Sequence, residues 1–313
     1  MHGLRIIATG SYCREVSGEP PPLKSLLREA TGVSVRRIGR FVQLALIGAG
    51  RCVNGLALPA ETATYFTSGR GDLEVTLDML IPMCEQGRPP TPFGFVNTVG
   101  NSACFHIAQL FGVRGRSQFV TSRYGPLESV LRLAALDMGR GGVKTALLGS
   151  ADICTAPLGA HRARIGVAND TPVGEASHWF LLATDPDLGS PLGVVRSIRS
   201  FTDDAALRAH LDRLDVNKDA ATLAGGQHLH PDRLQRVREA TGIVEVWPYR
   251  DGLPWYDSQT GHGIHRFLTQ EVARTLVHID GDPSGRSTLM VIDAARPGAT
   301  DSTRRLRDRR NAG

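Results

Sequence analysis

Residues 111–126 read FGVRGRSQFVTSRYGP, and this stretch decides the fold. Its β-branched and aromatic run at residues 118–121 (QFVT) predicts a short strand. A Gly-Pro pair then marks a turn, and residues 127–138 carry apolar side chains at helical spacing. A second strand is predicted at residues 145–148. A strand, a turn, a helix and another strand in this order indicate an α/β protein.

The same alternation extends in both directions from this stretch. It predicts helices at residues 41–56, 101–111, 205–214, 231–240 and from about 263, and strands at residues 62–68, 179–183, 193–198, 220–224 and 287–293. We therefore divide the chain into an N-terminal half, residues 1–185, and a shorter C-terminal half, residues 186–297. Periodicity alone leaves open whether these halves form a pseudo-symmetric layered fold or an ordinary doubly wound sheet.

The net charge of +5 is concentrated at one end of the chain. Residues 303–313 hold five arginines and one aspartate, a local charge of +4, so the rest of the chain is nearly neutral. This distribution argues against a nucleic-acid-binding body. We expect residues 298–313 to form a disordered basic tail without an assigned function.

Composition also limits the compartment and the cofactors. The chain has five scattered cysteines and no CxxC pair, a pattern that suggests neither a disulfide framework nor a zinc site. His228, His230 and His265 follow no metal-ligand spacing, so we expect no metal and no cofactor. There is no signal-peptide pattern and no run of eighteen apolar residues. The sequence therefore predicts a cytoplasmic protein without a membrane span.

Several motifs together resemble a known family. The order of YFTSG (65–69), FGVRGRSQFVTS (111–122), KTALLGSADI (144–153) and GEASHWFLLAT (174–184) is similar to the N-terminal half of a β-ketoacyl synthase. LAGGQ (223–227) and TGHGIHR (260–266) resemble its C-terminal half more weakly. The resemblance implies a thiolase-like, layered α-β-α-β-α fold of two pseudo-symmetric halves, with the C-terminal half shortened.

The resemblance also locates the positions that carry catalysis in this family. The nucleophilic cysteine corresponds to Tyr124, and a phenol with an ordinary pKa of about 10 is a poor thioester carrier. The first histidine corresponds to Gly225, and a lysine of the family corresponds to Asp257. The second histidine is kept as His262. Because such groups act as a unit, we expect no condensing activity from this chain and assign no catalytic residue.

Inactive relatives called chain length factors, from polyketide or aryl polyene type II systems, offer a role for such a chain. The resemblance implies that it pairs with an active β-ketoacyl synthase as a heterodimer and that acyl carrier protein is met through that partner. The interface would include a strand edge and the start of a helix, with contributions from Asn101, Ser117, Phe119, Val120 and Thr121.

Two other readings stay open at this point. The chain could be an acyl-thioester-using enzyme, an acyltransferase or a hydrolase, that employs Tyr124 or His262 on the same fold. It could also be a plain scaffold or a homodimer. The turn SRYGP at residues 122–126 lacks the GxSxG pattern of a hydrolase elbow, which disfavours a serine nucleophile there.

Overall fold

The computed structural model of this protein describes residues 3–35, 38–92, 95, 98, 100–270 and 272–295. The basic tail predicted at residues 298–313 lies outside the described residues. Within the described ranges, no helix is both long enough and apolar enough to cross a bilayer.

The described residues form nine strands and nine α-helices. The strands are Leu4–Glu15 (β1), Ala63–Ser68 (β2), Ser117–Thr121 (β3), Thr145–Asp152 (β4), Gly174–Ala183 (β5), Gly193–Phe201 (β6), Ala221–Gly225 (β7), Thr275–Gly281 (β8) and Ser287–Ala294 (β9). The helices are Lys24–Thr31 (α1), Arg40–Val53 (α2), Leu73–Gln86 (α3), Ser102–Phe111 (α4), Pro126–Gly139 (α5), Leu158–Ile165 (α6), Asp204–Leu211 (α7), Pro231–Thr241 (α8) and Gln259–Thr269 (α9).

The strands form one mixed sheet in which the two halves repeat the same pattern. Its order is β3-β2-β4-β5-β1-β6-β9-β8-β7. In the N-terminal half β2 runs parallel to β3 and β4, and β5 runs antiparallel to β4 and β1. The C-terminal half repeats this with β7 parallel to β8, and β9 antiparallel to β8 and β6.

The C-terminal half is shortened at its outer edge. Among the described residues β3 has no full counterpart there, since the outer side of β7 makes only a single bridge, between Leu223 and Val246. The C-terminal half therefore repeats the N-terminal pattern without its outermost strand.

Three apolar clusters fill the spaces between the helical and strand layers. One cluster packs α1, α2 and α4 against the N-terminal strands, and its centre is the stack of Phe66 on Trp179, with ring centroids 5.3 Å apart. A second joins the halves through α5 and α9. A third packs α7 and α8 against the C-terminal strands. The predicted α-β-α-β-α layering is thereby confirmed.

Several elements differ from the sequence prediction. Helix α9 begins at Gln259 instead of near residue 263, although it contains two glycines. A Cβ atom on Gly261 would lie 2.6 Å from the Cβ atom of His178, and one on Gly263 would lie 2.9 Å from the Tyr249 ring. Close packing between the halves thus requires glycines that weaken the local helix signal. Strands β1 and β8 and helices α1, α3 and α6 were not predicted from the sequence.

Candidate functional site

Tyr124, which the family resemblance places at the nucleophile position, lies in the turn between β3 and α5. Gly125 adopts a positive φ of 54°, which favours glycine, and Pro126 begins α5, where its missing N–H costs no hydrogen bond. The Ser122 hydroxyl donates to the Tyr124 carbonyl over 2.7 Å and tightens the turn. The sequence SRYGP therefore holds residue 124 in a tight turn immediately before α5.

The Tyr124 side chain is half-buried against a histidine. Its ring lies 4.9 Å from the His228 ring in an edge-to-face arrangement, and the His228 ring lies 6.5 Å from that of Trp255. On the other side the Arg123 guanidinium carbon lies 5.6 Å from the centre of the Tyr124 ring. Aromatic and cationic neighbours therefore fix the phenol in place.

Gly225 ends β7 and provides no polar group to the site. A Cβ atom there would lie 3.2 Å from Leu234 and 3.4 Å from Leu229, so its surroundings are apolar. The next turn then brings in His228, whose backbone N–H donates to Asp280 Oδ1 over 3.0 Å. An imidazole thus reaches the nucleophile position from three residues further along the chain, which the sequence analysis did not anticipate.

Asp257 is buried and faces a cation from the N-terminal half. Arg70 Nε lies 3.2 Å from Asp257 Oδ2, and both groups border Gly69. Burial, together with the nearby Asp152 carboxylate, raises the pKa of Asp257 to about 7. Arg70 therefore supplies a cation beside this buried carboxyl.

The neighbouring Asp152 carboxylate links the two halves. Its Oδ1 atom accepts hydrogen bonds from the Ser68 hydroxyl (3.0 Å) and the Gly69 N–H (2.9 Å), and its Oδ2 atom accepts one from the Ser258 N–H (2.8 Å). This anchoring fixes the start of α9 against the end of β2.

His262 points away from α5. Its ring lies 5.8 Å from the ring of His178, which itself bonds to the Ser11 hydroxyl (2.9 Å) and the Tyr256 hydroxyl (3.2 Å). Burial, then the charges of Arg266 and His265, lower the pKa of His262 to about 4. At neutral pH it is therefore an uncharged imidazole, and its buried Nδ1 atom has no hydrogen-bond partner among the described residues.

A buried polar cluster lies between α5 and α9. The Thr260 hydroxyl donates to Glu128 Oε1 over 2.8 Å, and His278 Nδ1 lies 3.8 Å from the same oxygen. His278 Nε2 lies 3.1 Å from the Tyr249 hydroxyl. Burial raises the pKa of Glu128 and lowers that of His278 to about 3, so both groups favour their neutral forms. In the sequence, only the position of Glu128 between the apolar residues Leu127 and Val130 and Leu131 could have pointed to this cluster.

The predicted interface residues lie at the open end of the sheet. Strand β3 bonds to β2 through its even-numbered residues, as the bonds at Arg116 and Ser122 show. Because parallel pairing engages alternate residues, the backbone N–H and C=O groups of Ser117, Phe119 and Thr121 point to the free edge. Any strand that joins the sheet here would bond to these three residues.

The side chains around this edge divide between core and surface. Phe119 and Val120 are both half-buried, and the Phe119 ring packs against the core with its centroid 5.3 Å from that of Phe66. Asn101 precedes α4, is exposed and makes no side-chain capping bond. Phe105 on α4 is 64% exposed. A partner at this edge would therefore meet the free backbone groups of β3 and the exposed Phe105 side chain of α4.

Within the described residues, no group of three or more His, Cys, Asp or Glu side chains is placed to hold a metal ion. The thiol of Cys104 lies beside β3, 3.9 Å from the Gln118 carbonyl, and burial raises its pKa to about 11. A neutral thiol in that place is a packing group.

No protein-family model and no curated protein matches this chain, but solved structures do. The ishigamide ketosynthase/chain length factor is similar with a TM-score of 0.71 and 17% identity, covering 94% of this chain and 100% of that chain. A type II polyketide synthase acyl carrier protein in complex with its ketosynthase bound to the hexaketide (AntDE:AntF) gives a TM-score of 0.73 at 10% identity, covering 94% and 100%.

A β-ketoacyl synthase from Burkholderia phymatum is similar with a TM-score of 0.67 and 12% identity, and covers 95% of this chain and 100% of that chain. At such identities the similarity establishes the fold. This chain has the thiolase-like fold of ketosynthases and chain length factors, as the sequence motifs imply.

The buried carboxyl of Asp280 predicts a pH-dependent stability. Burial and the neighbouring Glu128 raise its pKa to about 7, against about 3.9 in an unfolded chain. The folded state then holds a proton that the unfolded state has lost, so stability is greatest below the unfolded pKa and is lost as pH rises through 7. Relative to Asp280→Asn, the wild type should lose about 1.4 kcal/mol per pH unit between pH 5 and 7.

Urea unfolding of both proteins at several pH values measures this difference. Asp282→Asn is the control, because Ser284 and nearby backbone N–H groups lower the pKa of Asp282 and keep its titration below this range. Parallel stability curves for the wild type and Asp280→Asn from pH 5 to 8 would contradict the assignment.

Proposed function

We propose that this chain is a non-elongating, chain-length-factor-like subunit that pairs with an active β-ketoacyl synthase in polyketide or fatty-acid-type biosynthesis in the cytoplasm. The observation that carries the proposal is the half-buried Tyr124 ring, packed against His228 at the position where the fold carries a nucleophile. The open edge at β3 supports the pairing.

The chemistry of decarboxylative condensation supports the first part of the proposal. It needs a thiolate to hold the acyl chain and two donors to stabilise the thioester carbonyl and the enolate. Here the phenol of Tyr124 stands in place of the thiolate. Gly225, whose neighbours are apolar, stands in place of one of the two donors. His262 is directed to His178 instead of α5. Each change removes a different part of the machinery.

The surface around β3 supports the second part. Exposed backbone groups of an edge strand favour pairing with another strand. Helix α4, which packs on β3, exposes Phe105, and α3 exposes Leu80, Ile81 and Met83 and has no buried residue. A ketosynthase subunit of the same fold would present a matching strand, and acyl carrier protein would be met through that subunit.

Restoring the nucleophile alone should not restore the reaction. In Tyr124→Cys the thiol gains no donor from Gly225, and His262 still faces His178. We therefore expect no elongated product above that of wild type when the purified chain is given an acyl thioester and a malonyl thioester. Mass spectrometry of products measures this, with Tyr124→Phe as the matched control. A product two carbons longer from Tyr124→Cys alone would contradict this account of the site.

Pairing is tested by co-expression with cysteine-bearing β-ketoacyl synthases from the same organism. Native mass spectrometry should find a one-to-one heterodimer. Phe105→Lys places an uncompensated charge in the proposed interface, at a cost of about 3–5 kcal/mol, and should weaken pairing at least about a hundredfold. The matched control is Val244→Lys, because Val244 is 75% exposed and follows α8 in the half that carries the opposite end of the sheet.

Comparison of the two lysine variants tests whether pairing uses the surface at α4 and β3. Loss of the heterodimer in Phe105→Lys alone supports the interface at α4 and β3. The proposal is abandoned if wild type remains a monomer beside every such ketosynthase, or if both variants pair equally well.

A further inference from the structure

A large cavity lies between the two halves of the chain. Its volume is about 820 Å³, and it is bounded by helix α5 of the N-terminal half and strand β6 of the C-terminal half. Small-molecule sites are typically clefts of roughly 300–1,000 Å³ and occur preferentially where two domains meet. On α5 the lining begins at Ser129, and it includes none of the residues described above around Tyr124. The cavity is therefore a second candidate binding site.

The walls of this cavity are mostly apolar. On α5, residues 129, 132, 133 and 136 recur at helical spacing, so they form one stripe that lines the cavity. The core packs against the opposite side of the helix, and Leu136 in the stripe remains 49% exposed. The large apolar side chains that line the cavity are Leu4, Leu133, Leu136, Met138, Val195 and Ile198. A hydrocarbon group placed there would leave water for apolar contacts on both sides.

The charged side chains of the cavity are cationic. Among the described residues, Arg132 and Arg196 line it and no carboxylate does. Arg132 is exposed, and its Nη1 atom donates to the Ser200 hydroxyl over 2.7 Å. Within the described part of the chain Arg132 has no ion pair. Its charge is therefore uncompensated.

Arg196 is already partly neutralised. Its Nε atom lies 3.6 Å from Asp293 Oδ2, and both side chains are more than a third exposed. Asp293 also accepts a hydrogen bond from the Thr275 hydroxyl over 2.8 Å, on its Oδ1 atom. One guanidinium group without a counter-charge then remains beside the apolar walls. It matches a single negative charge better than a phosphate group, which carries about −1.5 to −2 at neutral pH.

We propose that the cavity between α5 and β6 binds a small ligand with an apolar chain and a terminal carboxylate. The chain lies between Leu136 of α5 and Ile198 of β6, and the carboxylate meets Arg132. A guanidinium group suits this head because its fork donates two parallel hydrogen bonds to a carboxylate. The site is formed by this chain alone, so it does not depend on the pairing proposed above.

Calorimetry on the full chain, without any ketosynthase, measures this binding. The probes are sodium octanoate, sodium hexanoate and 1-octanol, at constant ionic strength set with sodium chloride. We expect saturable one-to-one binding of octanoate. Each buried CH₂ group tightens binding about fourfold, so hexanoate should bind roughly fifteenfold more weakly. The alcohol should bind at least about tenfold more weakly than octanoate, because it lacks the charge that Arg132 recognises.

Two variants separate the head from the chain of the ligand. Arg132→Gln should weaken octanoate binding about tenfold or more and leave 1-octanol binding unchanged. Leu136→Ser should weaken the binding of both probes, because it removes apolar contact. The matched control is Arg208→Gln, since Arg208 is exposed on α7 and pairs with Asp212. The Tm of each free variant reports whether its fold is intact.

Three results would overturn the proposal. The first is the absence of saturable octanoate binding to the wild type. The second is equal octanoate affinity in Arg132→Gln and Arg208→Gln. The third is self-association of the free chain that Leu136→Ser abolishes while octanoate does not bind, which would assign this face to a second copy. The heterodimer experiment bears on none of these results, because every binding measurement uses the unpaired chain.

Discussion

The hydrogen bond from Thr260 Oγ1 to Glu128 Oε1, 2.8 Å long, joins the two helices on which both halves pack. It fixes the rotation of α9 against α5, because a buried carboxyl without this partner would carry a full desolvation cost. With Thr260 facing α5, the residue two positions later faces the opposite direction. His262 thereby lies against His178 of β5.

That orientation directs His262 to β5 and leaves a different set of side chains around the turn at residue 124. There the Tyr124 ring contacts the His228 ring, and the Arg123 guanidinium lies over the Tyr124 ring. Asp257 is held by Arg70 from the other half, so an ion pair is part of the packing between the halves.

The sequence predicted the local parts of this arrangement well. The strand, the Gly-Pro turn and helix α5 follow from short-range signals, and the motif order implied the fold. The long-range partners could not be predicted, since Arg70 and Asp257, or Glu128 and His278, are separated by more than a hundred residues and meet only through the sheet order. Helix α9 was placed too late because its glycines serve packing against His178 and Tyr249, which local propensity does not register.

The central claim is that this fold serves pairing through β3. Residue-resolved hydrogen exchange of the chain, free and with its ketosynthase, tests it most directly. The account predicts that the amides of Ser117, Phe119 and Thr121 become protected on pairing, whereas those of Gln118 and Val120, already directed to β2, change little. Unchanged exchange at all five amides in a complex that has formed would contradict it.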